Sequence, residues 1–308
     1  MAPAFAEDRL RIALQKTGTA AWELAVIRHF GLDKAAGLDL AVTELATTEA
    51  GKIAIAGGAA DIIISDWLWV SRERALGRRL TFYPYSSAIG AVMAPAGSSI
   101  RAYADLVGKK IGVAGGPLDK SWLLLQAAAL QAGVDLKSKA QIQYGAPALL
   151  AEKTAQGELD ATLNFWNFCA DLETRGFVRA IDMAAVERDL GARAPVPVTG
   201  YVFDEDWARA HAGLVARFIA MTDKAKALMQ SSDEAWSVIA PLTHAKSPAA
   251  LAVYRRRFVE GVSHRPLEAQ QADAAALYDV LAKMGGETLV GPSQNLQPGV
   301  FFSGDGSH

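Results

Sequence analysis

The 308-residue chain has one cysteine, Cys169, so it can form no intramolecular disulfide and no cysteine-built zinc or iron–sulfur site. Large periplasmic proteins also do without disulfides, because their cores suffice, so this scarcity does not assign a compartment. No apolar run reaches the roughly 18 residues that a membrane-spanning helix needs. A marked excess of charge of one sign is missing as well. The 31 Lys and Arg residues nearly balance the 33 Asp and Glu residues, for a net charge of −2. Arg255-Arg256-Arg257 is the one dense basic cluster, and it reads as a solvated helix face. A nucleic-acid binder would need a concentrated basic surface. No P-loop, His-Glu-x-x-His or Gly-x-Ser-x-Gly occurs. His29, His211, His244 and His264 are dispersed and adjoin no nucleophile, and Cys169 carries no local signature of one. These absences point away from an enzyme, a resident cofactor or a cysteine-built metal site.

What is present is apolar and periodic. Half of the residues are hydrophobic, and the length supports two lobes with separate cores. One device occurs twice. Leu10–Leu14 is an apolar run leading into Lys16-Thr17-Gly18-Thr19 and a helical pattern. Lys110–Ala114 leads likewise into Gly115-Gly116-Pro117-Leu118-Asp119-Lys120-Ser121 and another helical pattern. Each reads as strand, small-residue turn and helix N-terminus, a place where free N–H groups and the helix dipole favour a polar or anionic group. Strand and helix signals alternate, which predicts an α/β fold with mostly parallel sheets. The first half gives helices over 20–30 and 48–56 and strands over 38–45, 61–65, 80–85 and 89–94. The second gives a short helix at 103–106, strands at 110–114, 141–144 and 160–165, and helices at 121–132 and 147–156. Each half ends in a Gly, an Asp and an apolar strand: Gly58…Asp61-Ile62 and Gly157…Asp160-Ala161.

Pro195-Val196-Pro197-Val198 before Tyr201-Val202-Phe203 predicts a return crossing, with helices from 204 to 284 thereafter. The expected lobes are therefore 1–87 plus 200–308, and an inserted 88–199. At the N-terminus, Ala4-Phe5-Ala6 has the small-x-small pattern of a signal-peptidase site, with polar Glu7-Asp8 following. That predicts export to the periplasm, with the signal peptide removed.

Four segments together resemble the type II periplasmic substrate-binding proteins of ABC importers, in the nitrate/sulfonate/taurine and pyrimidine-precursor branch. His29-Phe30-Gly31-Leu32…Gly37-Leu38-Asp39-Leu40 resembles that family's GLF-x-x-x-GLDV segment. Gly57-Gly58-Ala59-Ala60-Asp61-Ile62 resembles its x-x-G-x-x-DI strand entry. Ala104-Asp105-Leu106-Val107-Gly108-Lys109-Lys110-Ile111-Gly112-Val113 is similar to DLKGKKVGV, and Gly157-Glu158-Leu159-Asp160-Ala161 to GEVDA. The resemblance implies two α/β lobes, a two-strand hinge and a ligand cleft between them. It further implies a monomer that captures a small molecule and delivers it to an ABC permease in the inner membrane. Two alternatives share the fold class: a pyrimidine-synthase-like enzyme, whose cysteine-rich motif is absent here, and a periplasmic sensor or accessory protein.

Ligands of open α/β sheets bind outside the carboxyl ends of the strands. That rule selects Lys16–Trp22, Ser65–Trp67, Tyr85–Ser87, Gly115–Trp122 and Asn164–Phe168. Within them Lys16 and Lys120 are candidate cations for an anionic group, and Thr17, Thr19 and Ser121 are candidate caps and hydroxyl donors. Gly116 supplies backbone N–H, and Asp66 and Asp119 are candidate acceptors. Asn164 and Asn167 suit an amide or heterocycle, and Tyr85 falls at the expected hinge. Trp22, Trp67, Trp122 and Trp166 lie at or beside four strand ends, where they serve either as core or as aromatic walls. The chain departs from the family at two of these places. Asn164-Phe165-Trp166-Asn167-Phe168 lacks the family's proline, and Asp66-Trp67 replaces small residues. The expected ligand is thus a small organic molecule with a flat, heterocyclic or sulfonate-like part, held by few net charges and not in a tight inorganic-anion cage.

Overall fold

Buried β-branched and leucine side chains set the two sheets of this protein, seen in a computed structural model that describes residues 8–243 and 245–304. The signal-peptidase pattern at residues 4–6 and His244 lie outside the described residues. The chain divides into two units: residues 1–86, 199–244 and 297–308, and residues 87–198 and 245–296.

In the first unit the chain runs β1 (Asp8–Gln15), α1 (Ala20–His29), α2 (Leu32–Ala35), β2 (Leu38–Leu45), α3 (Thr48–Ala56), β3 (Ile62–Ser65), α4 (Trp67–Ala75) and β4 (Leu80–Ser86). The second unit then takes β5 (Ala91–Pro95), β6 (Lys110–Ala114), α5 (Lys120–Gln131), α6 (Leu136–Lys139), β7 (Gln141–Gly145), α7 (Pro147–Ala155), β8 (Ala161–Asn164), α8 (Trp166–Thr174), β9 (Phe177–Asp182) and α9 (Met183–Asp189). β10 (Thr199–Asp204), α10 (Glu205–Ala210), α11 (Ala212–Ser231) and α12 (Asp233–Thr243) return to the first unit, and α13 (Pro248–Glu260) and α14 (Leu267–Val290) to the second.

The sheet orders are β2-β1-β3-β10-β4 and β7-β6-β8-β5-β9. In each, the first three strands are parallel and the fourth runs antiparallel to both of its neighbours. The carboxyl ends of the other four strands therefore share one rim in each sheet. The two sheets also share a local lock. The Asp61 carboxylate accepts the Arg11 N–H (2.9 Å) and Asp160 accepts the Lys110 N–H (2.7 Å). In return Asp61 and Asp160 donate their own N–H groups to the Arg11 and Lys110 carbonyls, each at 2.9 Å. The repeated Gly…Asp-apolar signal thus pins the third strand to the first, once per unit.

Residues 245–296 depart from the expected lobes. α13 packs on α8, with the Trp166 and Phe258 rings 6.4 Å apart. Glu173 of α8 is gripped by Arg257 (2.7 Å) and Arg256 (3.1 Å) of α13 and by Arg179 of β9 (2.8 Å). Burial alone would raise the Glu173 carboxyl, and these guanidiniums outweigh it and hold it low. The basic triplet therefore includes anchoring arginines as well as a solvated face. α14 packs on α5, and its Asp273 accepts from Arg193 N–H (3.0 Å) and pairs with Arg265 (2.5 Å). An amphipathic helix names its buried stripe in sequence but not the surface that receives it. α4, α8, β9 and α9 are elements that the sequence reading did not include. For α8 the buried Trp166, Cys169 and Ala170 stand at i, i+3 and i+4, a helical stripe hidden in an aromatic-rich stretch.

Candidate functional site

Each unit builds a rim of strand ends and helix N-termini. In the first unit β1 runs into the Lys16–Thr19 turn, and Lys16 donates its N–H to the Leu45 carbonyl at 3.0 Å. The Lys16 and Thr17 side chains are exposed. Thr19 stands at the N-cap of α1 but makes no side-chain cap bond, so the expected capping role of Thr17 or Thr19 is not what holds this helix. The Thr19 carbonyl instead accepts from Trp22 N–H (3.1 Å) and from the Tyr85 hydroxyl (2.9 Å). Tyr85 is buried at the end of β4, and burial raises its phenol well above the ordinary value. Beside it, Gln15 donates its amide to Thr48 Oγ1 (2.8 Å), and Thr47 caps α3. Asp66 caps α4 by accepting Trp69 N–H at 2.9 Å. Ser65, at the end of β3 and 3 % exposed, keeps an Oγ with no hydrogen-bond partner among the described residues. Buried hydroxyls are nearly always bonded, so Ser65 stands out within the Ser65–Trp67 strand end, where the sequence pointed to Asp66 and Trp67.

In the second unit Asp119, not Ser121, caps α5: its carboxylate accepts Trp122 N–H at 3.1 Å, and Ser121 is already helical. Burial pushes the Asp119 carboxyl up from its ordinary value. The turn needs Gly115, whose φ of +91° suits glycine and whose added Cβ would lie 2.8 Å from Asp119 Oδ2. Gly116, Lys120, Ser121 and Asn167 are partly buried around the two helix N-termini. Asn164 is buried and engaged at both ends of its amide, donating to Pro147 O (2.9 Å) and accepting Phe165 N–H (2.9 Å). Its amide ties the end of β8 to the start of α7. Close by, a Cβ on Gly90 would lie 1.6 Å from the Asn164 carbonyl oxygen, so only glycine fits beside β8.

The four tryptophans are 1–8 % exposed and sit in the cores. Trp22 packs edge-on against Trp236 at 6.3 Å, and Trp122 donates its indole N–H to the Tyr144 hydroxyl at 3.1 Å. A different apolar set faces outward. Leu118, Tyr144, Leu149 and Phe165, which follow or end β6, β7 and β8, are 39–52 % exposed. Phe165 is the N-cap of α8, in extended backbone before the helix begins, and its i, i+4 spacing to the buried Cys169 gave no sign of this exposure.

Cys169 is fully buried, its thiol directed to the Asn164 carbonyl (3.2 Å), and burial pushes it up to about 12. Among the described residues no group of three His, Cys, Asp or Glu side chains is placed to hold a metal, and no helix is long and apolar enough to cross a membrane.

Residues 29–235 match the family model described as NMT1/THI5 like. The chain belongs to this family. No curated protein sequence matches it. Among solved structures it is similar to the periplasmic aliphatic sulphonate binding protein SsuA from Escherichia coli, at 19 % identity and a TM-score of 0.75, over 96 % of this chain and 92 % of that one. The alkanesulfonate-binding protein SsuA from Xanthomonas axonopodis pv. citri, bound to MOPS, gives 18 % identity and a TM-score of 0.69, over 96 % and 98 %. A desulfurization enzyme, DSZB, gives 16 % identity and a TM-score of 0.54, over 90 % and 92 %. This NMT1/THI5-like chain thus has the bilobal α/β fold of periplasmic binding proteins, a fold that also carries an enzyme.

Proposed function

We propose that this protein is a periplasmic solute-binding protein that captures a small organic molecule bearing an apolar or flat part and a polar end, and delivers it to an ABC permease. The observation that carries this reading is that Leu118, Tyr144, Leu149 and Phe165, four of the nine large apolar side chains exposed among the described residues, gather at or just after the β6, β7 and β8 ends on the second unit's rim. The first unit's rim is polar, with Lys16, Thr17, Thr47 and Thr48 exposed. The relatives named as sulfonate binders support an organic ligand. The aromatic contact is assigned to Tyr144 and Phe165, because the four indoles are core.

Turnover on this scaffold would need a nucleophile or an acid–base pair at a rim, and the buried, high-pKa thiol of Cys169 does not supply one.

The test is a thermal-shift and calorimetric panel of organic sulfonates, heterocycles, nitrate and sulfate. An organic member at a hundred times its dissociation constant adds about 2.7 kcal/mol of stability. Phe165→Ala then weakens its binding by about 1–3 kcal/mol at little cost in stability. Tyr144→Ala weakens binding likewise but also strips the buried Trp122 indole N–H of its acceptor, at about 1–3 kcal/mol of stability. Trp166→Ala destabilises the fold by about 3–5 kcal/mol instead. Tight binding of nitrate or sulfate, or unchanged affinity in both rim variants, overturns the reading. Co-purification with a permease separates a transport role from a sensor.

A further inference from the structure

Beneath the Lys16–Thr19 turn, the first unit holds a charged cluster that no capping or sheet-forming role requires. Glu23, one turn into α1, is 1 % exposed. Its carboxylate accepts the Tyr201 hydroxyl (2.5 Å), and its other oxygen faces the Lys226 ammonium of α11 (3.4 Å). Lys226 is nearly as buried and lies over two rings, 5.2 Å from the centre of Tyr85 and 5.1 Å from that of Tyr201. Those rings meet edge to face at 5.7 Å on β4 and β10. Tyr85 then carries the chain of contacts back to the surface, because its hydroxyl ends on the Thr19 carbonyl.

Such a cluster is poor value as a stabiliser. Taking an ammonium and a carboxylate out of water costs several kcal/mol each, and well-packed apolar replacements are often neutral or better. Cation–π contact and the phenol hydrogen bond recover part of that cost. What the cluster does supply is direction. It fixes the Tyr85 ring from below by a cation and a second ring, so the hydroxyl is aimed at one carbonyl. That carbonyl belongs to a turn whose own N-cap residue makes no side-chain bond.

We propose that Glu23, Tyr201, Lys226 and Tyr85 are positioning residues that hold the Lys16–Thr19 turn in its ligand-binding geometry. The inference rests on the reading above that this turn belongs to the binding rim. The four side chains act through the turn and touch no ligand themselves. Their removal should loosen the turn before it unfolds the unit.

Two variants test this. Tyr85→Phe keeps the ring and removes one hydroxyl. Glu23→Leu/Lys226→Met/Tyr201→Phe replaces the rest of the cluster with apolar groups of similar size, leaving no charge stranded. The expected result for both is a melting temperature close to the parent's, faster hydrogen exchange at the Ala21 and Trp22 amides, and an affinity for benzenesulfonate lower by on the order of tenfold, the scale of one lost hydrogen bond. Unchanged exchange at those amides overturns the inference, as does parental affinity in either variant. Loosening in Tyr85→Phe alone also overturns it, by reducing the device to one hydroxyl. A loosened turn in variants of a parent that binds no member of the organic panel supports the positioning role and overturns the ligand reading instead.

Discussion

Glu187 of α9 is 1 % exposed and has one backbone donor, the Val196 N–H at 3.1 Å. Burial pushes its carboxyl up to about 8, with the negative charges of Asp182 and Asp273 adding to the shift. The folded state therefore keeps a proton that the unfolded chain gives up near the ordinary carboxylate value. The stabilising effect is full below that value and is lost as pH rises through about 8. Thermal melts should show stability falling between pH 5 and 8, with an upper bound of about 5 kcal/mol from this group. Glu187→Gln should flatten that fall; a parent-like pH profile in the variant contradicts the assignment. At the same scale, the exposed Phe165 beside the buried Trp166 shows why residue type alone did not separate wall from core.

Helix starts decide the rims. α4 and α5 are capped by Asp66 and Asp119, and α3 by Thr47, while α1 has no side-chain cap and its Thr19 carbonyl accepts from the Tyr85 hydroxyl. Asp119→Ala should cost about 0.5–2 kcal/mol in chemical denaturation, and Asp119→Asn much less, because asparagine caps nearly as well. Equal losses in the two variants would place the role of Asp119 outside capping. Most strands and helices were legible in sequence: Leu38–Leu45 and Thr48–Ala56 have the bounds that alternation and glycine stops indicate. The caps were less so. Ser121 and Asp119 are both good capping types, and two residues of register decide between them, which only the backbone conformation at Gly115 and Gly116 sets.

At the scale of the chain, residues 297–304 return to the first unit after α14. Phe82 N–H donates to the Val300 carbonyl (2.7 Å), Phe302 N–H to the Phe82 carbonyl (2.9 Å), and the Phe82 and Phe301 rings meet edge to face at 5.3 Å. This segment covers the open edge of β4, a surface that proteins generally protect. Truncation after residue 296 should lower stability by at least the roughly 3 kcal/mol that losing a buried phenylalanine costs. A truncated chain with the parent's melting temperature would show the strap to be dispensable. The sequence by itself determined the α/β class, the doubled strand–turn–helix unit and the repeated Gly…Asp-apolar signal, because periodicity and turn chemistry act over a few residues. Tertiary structure alone decided that α13 and α14 join the second unit, that the indoles are core, and that Glu23 and Lys226 meet 203 positions apart. Those outcomes depend on which surfaces remain uncovered once the sheets have formed, and no local pattern carries that information.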